Sequence, residues 1–247
     1  RKQGESIYRR ELRFRDPELD RYRQLMLYNL NACEAVLTDN NDIRIYTDGK
    51  EKFKALLWEM EHARSYIHLQ YYIIKRDELW KQIEEVLIRK ARQGVEVRVL
   101  FDSMGCRTMH NKDWERLEAE GIHLAEFFPA VLGKLQLRVN YRNHRKIAVI
   151  DGRIGFVGGF NIGREYLGRD PKFGYWRDTH ICLEGSAVLS LAIRLSWTGT
   201  MRHPRTCSWT IICLRRRNLN GMAGNRCRSY PVDRTHTARR SAIITCI

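Results

Sequence analysis

The chain has 247 residues, 43% of them hydrophobic and 30% charged, with a formal net charge of +15. That length and composition suit one sizeable domain or two small ones and exclude a disordered or fibrous chain. The charge invites a nucleic-acid reading, but its distribution argues against one: the segment from Ala192 onward holds eleven Arg, no Lys, no Glu and a single Asp, Asp233, so it alone carries +10 and residues 1–191 only +5. A mildly basic domain suits anionic lipid headgroups as well as it suits DNA.

No apolar run reaches the ~18–20 residues that cross a bilayer, and the start lacks the charged and apolar regions of a secretion signal. Because the first residue is Arg1, the chain is expected to be processed or a piece of a longer reading frame, with any membrane span upstream. The seven cysteines, Cys33, Cys106, Cys182, Cys207, Cys213, Cys227 and Cys246, form no C-x-x-C pair and are odd in number. Reduced thiols on a cytosol-facing domain are expected, with neither a disulfide framework nor a metal site.

Residues 1–40 read as a charged, helical arm, with a helix start expected at Asp16–Pro17 (Asp as cap, Pro in the first turn). From residue 41 strands alternate with helices. A short strand is predicted over Ile43–Tyr46. A turn at Thr47–Gly49 leads into a helix over Glu51–Ala63, in which Phe53, Leu56, Leu57 and Met60 fall at helical spacing. Tyr66–Ile74 reads as a strand, Asp77 as the cap of a helix running to Gln93, and Val95–Asp102 as a buried strand. A helix over Lys112–Glu120 and a strand over Ile122–Phe128 follow. This alternation predicts an α/β layer, a mixed sheet flanked by helices. After Leu191 the periodicity fades, and residues 192–247 read as an atypical basic tail.

The chemistry is concentrated between residues 143 and 161. Arg145–Ile150 is predicted to be a strand, so His144 and Lys146, two residues apart, leave one face. Asp151–Gly152 makes a tight turn, and Ile154–Val157 returns as the second arm of a hairpin. Gly158 and Gly159 remove side chains where something approaches the backbone, and Asn161 offers an amide donor. An imidazole, an ammonium, an amide and bared backbone on one hairpin fit a phosphate ester.

The spacing H-x-K-x4-D-x6-G-G-x-N resembles the signature of the phospholipase D superfamily. The flanks, Asn140–Lys146, Gly159–Gly163, Glu165–Gly168, Trp176–His180, Tyr71–Ile74, Gly94–Arg98 and Phe127–Pro129, look like its bacterial cardiolipin synthase branch, and the resemblance covers residues 41–191. It implies a phospholipase-D-like catalytic half-domain and two-step phosphatidyl transfer: two phosphatidylglycerol molecules giving cardiolipin and glycerol at a membrane surface, without metal or cofactor. His144 would be the nucleophile that becomes phosphohistidine, a neutral imidazole being a usable nucleophile near about pH 7. Lys146 and Asn161 would hold the phosphate oxygens beside Gly158 and Gly159. Asp151 belongs to the catalytic signature, although its place after the strand suggests that it secures the hairpin. Asp178 is expected to orient the His144 imidazole. A second imidazole from a partner motif would protonate the leaving glycerol.

Members of the branch carry two such motifs, and this chain carries one: His180, His203 and His236 each lack a Lys two residues on. The second half-site is therefore expected from a missing C-terminal domain or from a second copy. The tail favours the first. Where the branch continues with Asp-Trp-Asn, this chain reads Ser196–Trp197–Thr198–Gly199–Thr200. Reading from the last base of the Trp197 codon forces Asp and permits Trp and Asn after it, so a frameshift near Leu191 is expected to have replaced the family-like continuation. The alternatives are a single-motif homodimeric nuclease and an inactive fragment.

Overall fold

A computed structural model of the chain describes residues 17–33, 35–127, 142–200 and 241–244. The arm before Pro17, including the expected cap Asp16, and most of the basic tail lie outside these residues, as do Cys207, Cys213, Cys227 and Cys246. Pro17–Tyr22 is a turn of 3-10 helix that continues as α1 (Arg23–Cys33). The strand expected over four residues at Ile43 is three times longer, β1 (Leu37–Asp48). Its polar stretch Thr38–Asp42 conceals the start from a reading based on apolar alternation. Asp48 closes the strand and caps α2 (Gly49–Glu61), its carboxylate accepting from the amides of Lys50 and Glu51.

The next elements follow the sequence closely: β2 (Tyr66–Tyr71), α3 (Glu78–Arg92) capped by Asp77, β3 (Glu96–Asp102), α4 (Asn111–Ala119) and β4 (His123–Phe127). Gly94 and Gly121, with φ of +83° and +81°, end the two helices in the left-handed conformation that glycine adopts without strain. The hairpin consists of β5 (Ile147–Ile150) and β6 (Ile154–Gly158), and β7 (Arg177–Gly185) and α5 (Ala187–Thr200) follow.

The strands form one sheet in the order β4-β3-β2-β5-β6-β7-β1, with a short strand β8 (Ser241–Ile244) on the outer edge of β1. β2, β3 and β4 run parallel, and every pairing from β2–β5 to β7–β1 is antiparallel. On one face Leu56 and Met60 of α2 and Ile83 and Leu87 of α3 pack on Ile67, Leu69, Val99, Ala148 and Phe156. The other face, with Tyr66, Leu100, Ile147, Val149 and Leu183, is covered by Val188, Leu191, Ala192 and Leu195 of α5. Burying each of the Leu, Ile, Val and Met side chains among them contributes about 1.5–3 kcal/mol. The helix therefore runs through the boundary expected at Leu191: Ala192 and Leu195, 3% and 0% exposed, belong to the same core as the sheet. No helix of the described residues is long and apolar enough to cross a membrane.

Candidate active site

Strand polarity gathers the site. The parallel strands β2 and β3 end where antiparallel β5 begins, β6 ends and β7 begins. One edge of the sheet therefore collects Tyr71–Tyr72, Asp102, the approach to β5, Gly158–Asn161 and Asp178–His180. Such carboxyl-terminal edges are where open α/β sheets place their ligands.

His144 and Lys146 lie in an extended segment just before β5, which begins at Ile147 rather than Arg145. Their two-residue spacing still sends both to one side. The exposed His144 ring stacks on Tyr72 with centroids 3.9 Å apart, and the Lys146 ammonium sits 5.6 Å from the same ring while donating to the His144 carbonyl at 2.6 Å. Burial lowers the pKa of Lys146 below the ordinary lysine value, and the Asp178 carboxylate opposes that shift. Behind the segment, the buried Asp102 carboxylate accepts from the Asn143 amide at 3.5 Å and lies 3.7 Å from the Arg142 guanidinium. The end of β3 thus fixes where the segment starts.

Asp151 stands at the opposite end of β5. Its φ of +53° and the +63° of Gly152 make a tight turn, closed by Arg153 N–H donating to Ile150 O at 3.0 Å, within the three-residue connection 151–153 between the paired Ile150 and Ile154. Its carboxylate accepts the amides of Arg64, Ser65 and Tyr66 at 2.8, 2.7 and 2.9 Å. It ties the hairpin to the start of β2, and the length of β5 separates it from His144. This geometry fits the hairpin-securing role.

The other expected groups are held by neighbouring segments. Asn161, 5% exposed, spends its amide internally: its Oδ1 accepts from Ile73 N at 3.1 Å and its Nδ2 donates to the Tyr166 hydroxyl at 2.8 Å. These bonds brace the wall of the site, and the NH2 group carries a second N–H beyond the one given to Tyr166. The two glycines make room for β7. A Cβ on Gly158 would lie 2.7 Å from Cγ of His180, and one on Gly159 would lie 2.0 Å from Oδ1 of Asp178. Asp178 accepts from Thr179 N at 2.6 Å and acts electrostatically on Lys146; among the described residues it makes no hydrogen bond to His144.

A buried polar layer that no motif announces lies beneath the edge. Lys52, fully buried, donates to the Tyr71 hydroxyl at 2.9 Å and lies 3.6 Å from the Phe53 ring centroid; burial lowers its pKa well below the usual lysine value. His180, 0% exposed, stacks on Phe160 at 6.0 Å, and neither ring nitrogen has a hydrogen-bond partner. Its pKa falls to about 2, chiefly through burial and then through the charges of Lys52 and Lys146. The only hint in the sequence was that His180 and Lys52 sit at core-facing positions of a strand and a helix, where an apolar residue is the norm. Among the described residues no cluster of His, Cys, Asp and Glu could hold a metal ion, and Cys106 and Cys182 are buried free thiols.

The family described as "Cardiolipin synthase, PLD-like domain" matches residues 56–171. The chain is 52% identical over 171 residues to the major cardiolipin synthase ClsA of Bacillus subtilis, a match spanning 68% of this chain and 36% of that protein. It is 46% identical over 194 residues to the cardiolipin synthase of Oceanobacillus iheyensis, spanning 78% of this chain and 40% of the other. The chain thus spans well under half the length of these relatives. Among solved structures, phosphatidylserine synthase of Haemophilus influenzae aligns with a TM-score of 0.51 at 16% identity, over 77% of this chain and 46% of that one, a likeness of fold. The motif, the mixed sheet that presents it and the matched stretch together make this chain a member of the cardiolipin synthase branch of the phospholipase-D-like family.

Proposed function

We propose that this chain supplies one half-site of a phosphatidyltransferase that joins two phosphatidylglycerol molecules into cardiolipin and releases glycerol. The observation that carries the reading is the pairing of His144 and Lys146 over Tyr72 at the carboxyl edge of the sheet. The His144 imidazole attacks phosphorus, the phosphorus–oxygen bond to the headgroup glycerol breaks, and phosphohistidine forms. The Lys146 ammonium faces the non-bridging oxygens, and Asp178 favours its charged form. A second imidazole, from a further domain or a second copy, gives a proton to the departing glycerol. It then takes one from the incoming glycerol hydroxyl of the second lipid, which regenerates His144.

Asp151 is assigned to holding the hairpin, Asn161 to bracing the wall through Tyr166, and Gly158 and Gly159 to admitting β7. The protein works at the membrane surface, facing the cytoplasm, where Cys106 and Cys182 stay reduced. The chain is incubated with phosphatidylglycerol vesicles, alone and with a C-terminal half from a full-length relative, and in parallel with plasmid DNA. Cardiolipin and free glycerol in the complemented sample support the reading. DNA cleavage by the chain alone, with no lipid product in either sample, refutes it.

A further inference from the structure

Gly168–Arg177 joins the 3-10 turn Arg164–Leu167 to β7 and presents two large rings to solvent, Phe173 at 48% and Tyr175 at 68% exposure. A single exposed ring is ordinary, but two in three residues, with Trp176 beside them, form a patch. The loop is also built. Gly168 and Gly174, with φ of +65° and +63°, take left-handed turns. Asp170 accepts the Lys172 amide through its carboxylate at 3.0 Å, and the amides of Phe173 and Gly174 through its carbonyl at 3.1 and 2.9 Å. The Trp176 ring packs edge-on against Tyr166 at 5.0 Å and Phe173 at 5.6 Å. A hydrogen-bonded turn therefore holds the rings outward.

The surroundings are cationic. Arg169, Lys172 and Arg177 are exposed, and the Lys172 ammonium lies 5.5 Å over the Phe173 ring. The acid within the turn, Asp170, is taken up by the loop's own amides and by Arg164 at 3.6 Å. The loop also borders the site: Trp176 packs on Tyr166, whose hydroxyl holds Asn161, and Asp178, one residue beyond Arg177, acts on Lys146. Aromatic rings ringed by cations match the boundary between anionic headgroups and acyl chains, where rings partition with their polar edges in the interface.

We infer that Gly168–Arg177 is a membrane-docking loop, with Phe173 and Tyr175 entering the headgroup–acyl boundary of an anionic bilayer and Arg169, Lys172 and Arg177 engaging its headgroups. The inference rests on the reading of the substrate as an anionic phospholipid, and adds how the catalytic edge is set against the bilayer.

The test is co-sedimentation of the full chain with vesicles of mixed phosphatidylglycerol and phosphatidylcholine, and with phosphatidylcholine alone. It compares Phe173→Ser/Tyr175→Ser, Arg169→Gln/Lys172→Gln and the conservative Phe173→Trp/Tyr175→Trp, each with a thermal melt. Removing each cation is expected to weaken anionic-vesicle binding about five-fold at low salt, and removing the two rings about ten-fold or more. The tryptophan variant should bind like the parent, with unchanged melting throughout. Parent-like binding by the serine and glutamine variants overturns the inference, as does failure of the parent to bind anionic vesicles. So does loss of self-association in the serine variant at unchanged vesicle affinity, which would make the patch a protein contact. Phosphatidyl transfer with vesicle binding indifferent to the loop sinks this inference alone; loop-dependent binding without transfer supports it and removes the proposed reaction instead.

Discussion

Replacing Asp151 separates anchoring of the hairpin from chemistry. Its Oδ1 serves the Ser65 and Tyr66 amides, and its Oδ2 serves the Arg64 amide, which is at the surface. Asp151→Asn can keep the first oxygen as an amide carbonyl but sets an NH2 group against the Arg64 N–H, a loss of about 1–2 kcal/mol. Asparagine tolerates the left-handed φ of +53° about as well as aspartate does. Asp151→Ala strips the acceptors from all three amides, two of them partly buried, and should cost roughly 3–5 kcal/mol. Asp151→Gly loses the same bonds without the backbone strain, so it should lie slightly above alanine. Urea unfolding with linear extrapolation measures the order parent, Asn, Gly, Ala, with unchanged slope. An alanine variant within about 1 kcal/mol of the parent in stability, yet stripped of turnover, would place Asp151 at the reacting atoms and refute the anchoring argument.

Two further predictions concern the edge and the layer beneath it. Burial depresses the pKa of His180 to about 2, whereas an unfolded imidazole titrates near ~6.5. As pH falls below ~6.5 the unfolded chain takes up the proton first, so stability should drop by about 1.4 kcal/mol per pH unit on this account. The buried His68 shifts in the same direction, through burial and against the pull of Glu96. In His180→Phe, urea midpoints measured between about pH 6 and 4.5 should fall less steeply than in the parent; an equal slope would mean that His180 takes up the proton in the folded state. Asp178→Asn removes the charge that favours the Lys146 ammonium, so the alkaline limb of the pH–rate profile should move to lower pH at unchanged melting temperature. An unmoved limb would detach Asp178 from Lys146.

Local chemistry explains which parts of the molecule could be read in advance. Asp77 and Gly94 mark the ends of α3 because a capping carboxylate and a left-handed glycine leave their signature in adjacent residues. The spacing of His144 and Lys146 survives because parity along extended chain holds even before the strand begins. What escaped depends on contacts between distant segments. Asp151 finds its three amides 85 to 87 residues away, and Gly159 is small because of an aspartate on another strand. Nothing in sequence reveals that Ile73 and Tyr166 hold the amide of Asn161. The length of β1 was hidden by Thr38–Asp42, whose polar residues form strand through pairing with β7 and β8.

The most direct test of the central claim is trapping of the covalent intermediate in an alkaline denaturing quench, which leaves a phosphorus–nitrogen bond intact. The chain, completed by a second half-site, is mixed with phosphatidylglycerol labelled in its phosphate, and the peptide carrying the label is identified. Alkali-stable, acid-labile label on His144, absent from His144→Ala and still present when His180 is replaced, is the predicted result. Label on any other residue, or full turnover by His144→Ala, would contradict it.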